Sequence, residues 1–176
     1  MFNKEFYAQK PFEMTEYAEG LIKPFGVLYC ADRDFLTFEL SFFYYYIHDY
    51  KIYSYFNSDQ RRKILDTFLE KIQIDRSDDF SDIEELNDFY EKRIFSFFTM
   101  MKDIKTIGEF TEKCSKYIST ILSYSEKHNA FTCHTFDQAE KELSIDIEAD
   151  KYVEELTVLL TLTSAPFLTD EAKTLN

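Results

Sequence analysis

Apolar side chains form their longest run at residues 38–56, FELSFFYYYIHDYKIYSYF, where ten of the nineteen residues are Phe or Tyr. Apolar and polar residues do not alternate strictly and the run is long for a strand, so the pattern predicts a helix. On a helical wheel this helix is apolar nearly all round, which is typical of a helix at the centre of its domain. We therefore predict a central aromatic-rich helix at about residues 34–56.

Shorter amphipathic segments predict further helices around the central one. The first is expected to start at Thr15, after an irregular N-terminal segment, residues 1–14. The last is expected at residues 149–163, with Pro166 as its stop and residues 165–176 as a tail. Four further helices are expected between the first and the last. Each begins at a residue that caps helix N-termini and is followed three residues later by Glu or Gln: Asn57 with Gln60, Ser81 with Glu84, Thr106 with Glu109, and Thr135 with Gln138.

The fold class follows from these segments and from the composition. Only three Gly and three Pro occur among 176 residues, whereas turn-rich β proteins need many residues with special backbone angles. We predict an all-α protein, a single-domain bundle of about six or seven helices that spans residues 1–176.

Three charged residues fall on apolar helix faces. On the wheel, Glu39 and Asp49 lie within the aromatic arc of the central helix. Arg93 lies within the apolar arc of the predicted fourth helix, which starts at Ser81. Because an unpaired buried charge is very costly, these groups should meet one another. We predict that Arg93 bonds Glu39 or Asp49 across the core, and that tyrosine hydroxyls complete this buried polar network, from Tyr46, Tyr50 and Tyr90.

This buried polar network has two interpretations. It is either a structural ion pair that specifies how the helices pack, or a polar pocket in an aromatic cage that binds a small molecule or performs acid–base chemistry.

The formal net charge of −13 is concentrated in two segments. Residues 75–91 hold eight acidic residues and one basic residue, and residues 137–155 hold eight acidic and two basic residues. These acidic segments are either solvated faces that keep an aromatic-rich protein soluble, or a surface for a basic protein partner. The contact residues predicted for such a partner, with residues 137–155 in reserve, are Asp78, Asp79, Asp82, Glu84, Glu85 and Asp88.

The sequence carries no pattern diagnostic of catalysis or metal binding. Residues 128–134, HNAFTCH, lack the paired spacings of a zinc site, and residues 146–157 lack the Gly and the final carboxylate of a calcium loop. Phosphate-binding glycine motifs and the G-x-S-x-G motif are absent. His48 is interpreted as a surface or boundary histidine. We predict no catalytic residue, no metal and no cofactor.

Three widely spaced cysteines indicate a reducing compartment. The N-terminal residues contain no apolar run typical of a secretory signal, and the charges inside residues 38–56 disfavour a membrane span. These features predict a cytoplasmic protein.

Together these features favour a binding protein over an enzyme. We expect a small, acidic, helical protein that binds a partner with a basic surface, as an inhibitor or as an immunity or anti-defence protein acting on a nucleic-acid-handling protein. Direct nucleic-acid binding is disfavoured because the cationic runs are short. The Lys-, Ile-, Asn-, Phe- and Tyr-rich composition suits an AT-rich bacterial or phage genome. The alternative is a small-molecule-binding or enzymatic domain with its site at the buried polar network, and a homo-oligomer is left open.

Overall fold

The structure is a computed structural model and describes residues 2–76, 82–102, 104, 106–129 and 150–169. Seven helices and no strand are present in these residues, which confirms the all-α prediction. The helices are α1 (Lys4–Gly20), α2 (Gly26–Tyr29), α3 (Arg33–Ile52), α4 (Ser58–Arg76), α5 (Ile83–Lys102), α6 (Ile107–His128) and α7 (Val153–Thr169).

The aromatic-rich helix α3 lies at the centre of the bundle, as predicted. Every residue from 38 to 48 is buried, and α3 packs against α1, α5 and α6. Its rings stack on rings of the surrounding helices, with centroid separations of 6.4 Å for Phe42 and Phe97 of α5 and 5.6 Å for Phe43 and Phe110 of α6. Because neighbours cover α3 on several sides, an apolar surface all round is what its position requires.

Two of the predicted helix starts are confirmed by their hydrogen bonds. The Asn57 side chain accepts from the backbone N–H of Gln60 at 3.0 Å, and the Gln60 side chain accepts from the backbone N–H of Asn57 at 3.1 Å. This reciprocal pair satisfies two N–H groups at the start of α4. Thr106 similarly accepts from the backbone N–H of Glu109 at 3.2 Å and opens α6.

The predicted start of α5 is one residue early. The helix begins at Ile83, and the Asp82 side chain accepts from the backbone N–H of Glu85 at 2.8 Å. Ser81 and the helix expected from Thr135 lie outside the described residues.

The prediction of an irregular segment at residues 1–14 is wrong. The Asn3 side chain accepts from the backbone N–H of Phe6 at 3.3 Å and begins α1 far upstream of Thr15. Pro11 lies inside this helix and is buried, although proline removes one backbone hydrogen bond from a helix. Packing of α1 against α3 and α4 outweighs this loss.

The helix ends also differ from the predictions. α3 ends at Ile52 rather than near residue 56. α7 continues through Pro166 to Thr169, so the first residues of the predicted tail are helical.

The short helix α2 was not predicted. It has no capping side chain of its own. The carboxylate of Glu155 on α7 accepts from the backbone N–H groups of Val27 at 3.2 Å and Leu28 at 2.5 Å. A distant residue thus satisfies the N–H groups that a helix start leaves open.

No helix among the described residues combines the length and the apolar content that crossing a membrane requires.

Candidate functional site

Arg93 and Glu39 form an ion pair in the centre of the bundle. The Arg93 Nε donates to Glu39 Oε1 at 3.0 Å, and the Arg93 Nη2 lies 2.8 Å from the same oxygen. The exposed fractions of the two side chains are 0% and 2%. The pair joins α5 to α3, which is the bond expected from the positions of both residues on apolar helix faces.

Aromatic rings enclose the Arg93 guanidinium. Its carbon lies 4.7 Å from the ring centre of Phe89 and 5.9 Å from that of Tyr117, distances at which ring faces attract a cation. Burial raises the pKa of the Tyr117 hydroxyl, and the nearby charge of Arg93 opposes this shift. The position of Tyr117 beside Arg93 was not predicted, because a helical wheel does not show which helix faces which.

Burial and ion pairing shift the pKa of each residue of this pair in opposite directions. Burial raises the pKa of the Glu39 carboxyl, and the nearby charge of Arg93 opposes this shift. For Arg93, burial is the largest single influence and acts to lower the pKa, but the contributions of Glu39 and Tyr117 together outweigh it, so the pKa of the guanidinium is raised above its ordinary value. Arg93 therefore stays charged. Glu39 Oε2 is buried and accepts no hydrogen bond from any residue in the described ranges.

Asp49 does not belong to this network, contrary to the prediction. Asp49 accepts from Arg61 of α4, with Arg61 Nε 2.8 Å from Asp49 Oδ1 and Nη2 bonded to Oδ2. The Tyr53 ring lies 4.4 Å from the Arg61 guanidinium. The reason is that Asp49 lies in the last turn of α3, where the chain turns back into α4 and brings Arg61 within reach.

The three predicted tyrosines behave differently from one another. Tyr50 is 59% exposed and is not part of the network, because the last turn of α3 emerges from the core. Tyr46 is buried and donates from its hydroxyl to the backbone oxygen of Ile94 on α5 at 2.9 Å, so it bonds the backbone and not Glu39. Tyr90 is buried on α5, with its ring 6.4 Å from that of Phe42.

These contacts favour the structural interpretation of the Arg93–Glu39 pair. Arg93 has no solvent access, and a bond between two helices at the centre of the bundle fixes their relative position. Among the described residues, no three His, Cys, Asp or Glu side chains come together as metal ligands.

His48 is buried and not at the surface, which corrects the interpretation from the sequence. Its ring stacks on Tyr7 of α1 with centroids 5.9 Å apart. Burial, with a smaller contribution from Lys51, lowers its pKa from 6.5 to about 4. Its Nε2 has no hydrogen-bond partner within the part of the chain that the structure describes. His48 is therefore neutral near pH 7.

Four of the six predicted partner-binding residues are among the described residues, and they lie at the start of α5. Asp82, Glu84, Glu85 and Asp88 are all exposed. Asp88 pairs with Lys92 at 2.7 Å, and both side chains are partly exposed to solvent. Asp78 and Asp79 lie outside the described residues, as does most of the second acidic segment.

Sequence reasoning missed two exposed aromatic residues next to these acids. Phe95 and Phe98 of α5 are 64% and 62% exposed. The signal for them was present, since neither residue falls in the apolar arc of the predicted fourth helix, and a large apolar residue outside such an arc is a candidate for contact with another molecule.

Comparisons of the chain with models of known protein families, with curated proteins and with solved structures return no match.

Proposed function

We propose that this chain is a small acidic protein whose function is to bind another protein, and that the first turns of α5 form its contact surface. The observation that carries the proposal is a row of exposed carboxylates with little opposing charge. From residue 82 to residue 91, five side chains are acidic, none is basic, and all five acidic side chains are exposed, namely Asp82, Glu84, Glu85, Asp88 and Glu91.

Three other acids of the chain have partners inside or at the edge of the fold, whereas Asp82 caps the start of α5 and Asp88 pairs with Lys92 at the surface. Glu39 and Asp49 pair with buried or half-buried arginines, and Glu155 caps α2. The ion pair of Asp88 with Lys92 is of the solvent-exposed type that contributes about 0 to 1 kcal/mol. Stability therefore does not account for this concentration of charge.

The partner that suits this surface carries a basic patch. Complementary charge speeds association and excludes partners of like charge. Proteins that handle nucleic acids have such patches, because lysine and arginine supply their affinity for phosphate. A chain that covers the patch would act as an inhibitor, in the manner of an immunity or anti-defence protein. The free thiols of Cys30 and Cys114 support the reducing cytoplasm as its location.

The proposal is tested by capture of partners from a lysate of the native host with the full chain immobilised. A variant with Asp82→Asn, Glu84→Gln, Glu85→Gln and Asp88→Asn removes four charges, and Asn at position 82 keeps the helix cap. We expect the wild-type chain to retain a basic protein that salt elutes, and the variant to lose it. The affinity for that protein, once purified, should fall about tenfold or more, a typical effect of removing charges from a complementary interface.

A control variant carries the same change in net charge at other places. Four exposed acids of α1, α4 and α6 are neutralised in it, by Glu16→Gln, Asp66→Asn, Glu70→Gln and Glu112→Gln. It should retain the partner. Equal loss from both variants would reduce the effect to overall charge, and equal retention by both, or a complex insensitive to salt, would rule out the acidic surface as the contact.

A further inference from the structure

Five exposed residues follow one another along a single side of α5, and we call them the docking stripe: Glu84, Asp88, Glu91, Phe95 and Phe98. Their spacing alternates between four and three residues. At about 100° per residue they fall within an arc of about 80°, and they extend along about 21 Å of the helix. Alternating steps of four and three are the spacing by which one helix contacts another along its length.

The other side of α5 already makes the contacts with the bundle. Leu86, Phe89, Arg93 and Phe97 are buried there against α3 and α6. Phe95 and Phe98 are more than half exposed on the opposite side, so they are not part of the core. Two neighbouring aromatic side chains on an outward helix face are of the kind that supplies much of the affinity of protein–protein interfaces.

We infer that the docking stripe binds a helix of the partner protein. Opposite the three carboxylates, this helix carries Lys or Arg. Opposite Phe95 and Phe98 it carries large aliphatic side chains. The inference rests on the proposed function and adds to it the form of the partner and an apolar half of the contact. The three carboxylates match a cationic partner, and the alternating spacing fits the contact of one helix with another along its length.

The test uses synthetic helical peptides and the full chain. Two peptides carry three Lys opposite the carboxylates and two Leu opposite the phenylalanines, and they differ in the direction of the chain. A third peptide has Glu in place of Lys. Binding is measured by fluorescence anisotropy. We expect one of the Lys peptides to bind and the Glu peptide not to bind. The double variant Phe95→Ala/Phe98→Ala should weaken binding about tenfold or more, as expected for the loss of central aromatic contacts.

The matched control removes an exposed apolar pair from another helix. Val158 and Leu162 lie four residues apart on α7 and are exposed, and the variant Val158→Ala/Leu162→Ala should bind the peptide as the wild-type chain does. Circular dichroism of both double variants checks that they fold. Because all four side chains are exposed, we expect unchanged helix content, and a control variant that weakens binding equally would overturn the inference.

The other outcomes separate the inference from the proposed function. Loss of peptide binding on neutralisation of the acids, without an effect of the Phe95→Ala/Phe98→Ala change, overturns the docking stripe and leaves the acidic contact surface in place. An effect of the phenylalanines alone overturns the cationic partner. No binding of either Lys peptide also overturns the inference. Sedimentation of the chain alone tests a second copy as occupant, and a dimer abolished by the Phe95→Ala/Phe98→Ala change would assign the stripe to self-association.

Discussion

Replacement of Arg93 by Met tests the central ion pair directly. Methionine keeps a long side chain but removes the charge, the hydrogen bond to Glu39 at 3.0 Å and the ion-pair contact at 2.8 Å. The Glu39 carboxylate is then left at 2% exposure without a partner. Removing one member of a buried pair costs about 3 to 5 kcal/mol, and we expect a loss of this size in the free energy of unfolding.

The assay is urea denaturation near neutral pH, with the adjacent residue of α5 as control. Lys92 pairs with Asp88 at 2.7 Å, but both side chains are partly exposed, so Lys92→Met should cost less than about 1 kcal/mol. The two variants remove one cation each from neighbouring positions of one helix. The difference between them therefore measures the effect of burial.

Two further measurements separate a stranded charge from lost packing. The double variant Glu39→Leu/Arg93→Met should recover much of the stability, because it leaves no charge behind. In Arg93→Met alone, burial still raises the pKa of Glu39 and no longer meets an opposing charge. The carboxyl then favours its neutral form in the folded state. The cost of Arg93→Met should shrink as pH falls through that raised pKa.

The reasoning would be refuted by a loss below about 1 kcal/mol in Arg93→Met, the value typical of an exposed pair. A double variant that is less stable than Arg93→Met would contradict it equally, since the stranded carboxylate would not be the source of the loss.

Two other predictions concern His48 and Glu155. The folded state holds the pKa of His48 at about 4, below its ordinary 6.5, so His48 stabilises the fold above pH 6.5 and about 3 kcal/mol of this contribution is lost by pH 4. In thermal or urea unfolding, the difference in stability between His48→Phe and the wild-type chain should change by this amount between pH 7 and pH 4. A difference that does not change with pH would contradict this prediction. Glu155→Ala removes the acceptor of the Val27 and Leu28 backbone N–H groups, so hydrogen exchange at these two amides should accelerate while the amides of α3 stay protected. Unchanged exchange at Val27 and Leu28 would show that Glu155 does not hold α2.

The parts of the fold that were predictable are those that local physics determines. A helix with apolar side chains on all sides has to be covered on all sides, and residues 38–48 of α3 are all buried. The caps at Asn57 and Thr106 were predictable because their partners lie three residues away. The start of α1 was not, because Pro11 disfavours a helix locally and the contacts that overcome it come from α3 and α4. The same holds for α2, whose start is satisfied by Glu155.

The candidate site was predictable to a similar extent. Arg93 and Glu39 could be found because each is a charge on an otherwise apolar helix face, and such charges need each other. Asp49 and Tyr50 were misplaced because a helical wheel treats all turns of a helix alike. The last turn of α3 is only partly covered, so Tyr50 reaches solvent and Asp49 meets Arg61. Helical wheels give the direction of a side chain but not the depth of each turn in the bundle.

The same distinction decides which carboxylates can be functional. Net charge counts Glu39, Asp49 and Glu155 together with the acids of α5. The first two pair with arginines, and Glu155 accepts from backbone N–H groups of α2, so all three have structural roles. Neutralising any of them would reduce binding by disturbing the structure, and a screen by charge alone would report them as contact residues. The acids of α5 can be changed without this effect because they are exposed and Asn replaces the cap at position 82. These substitutions therefore test an interface rather than stability.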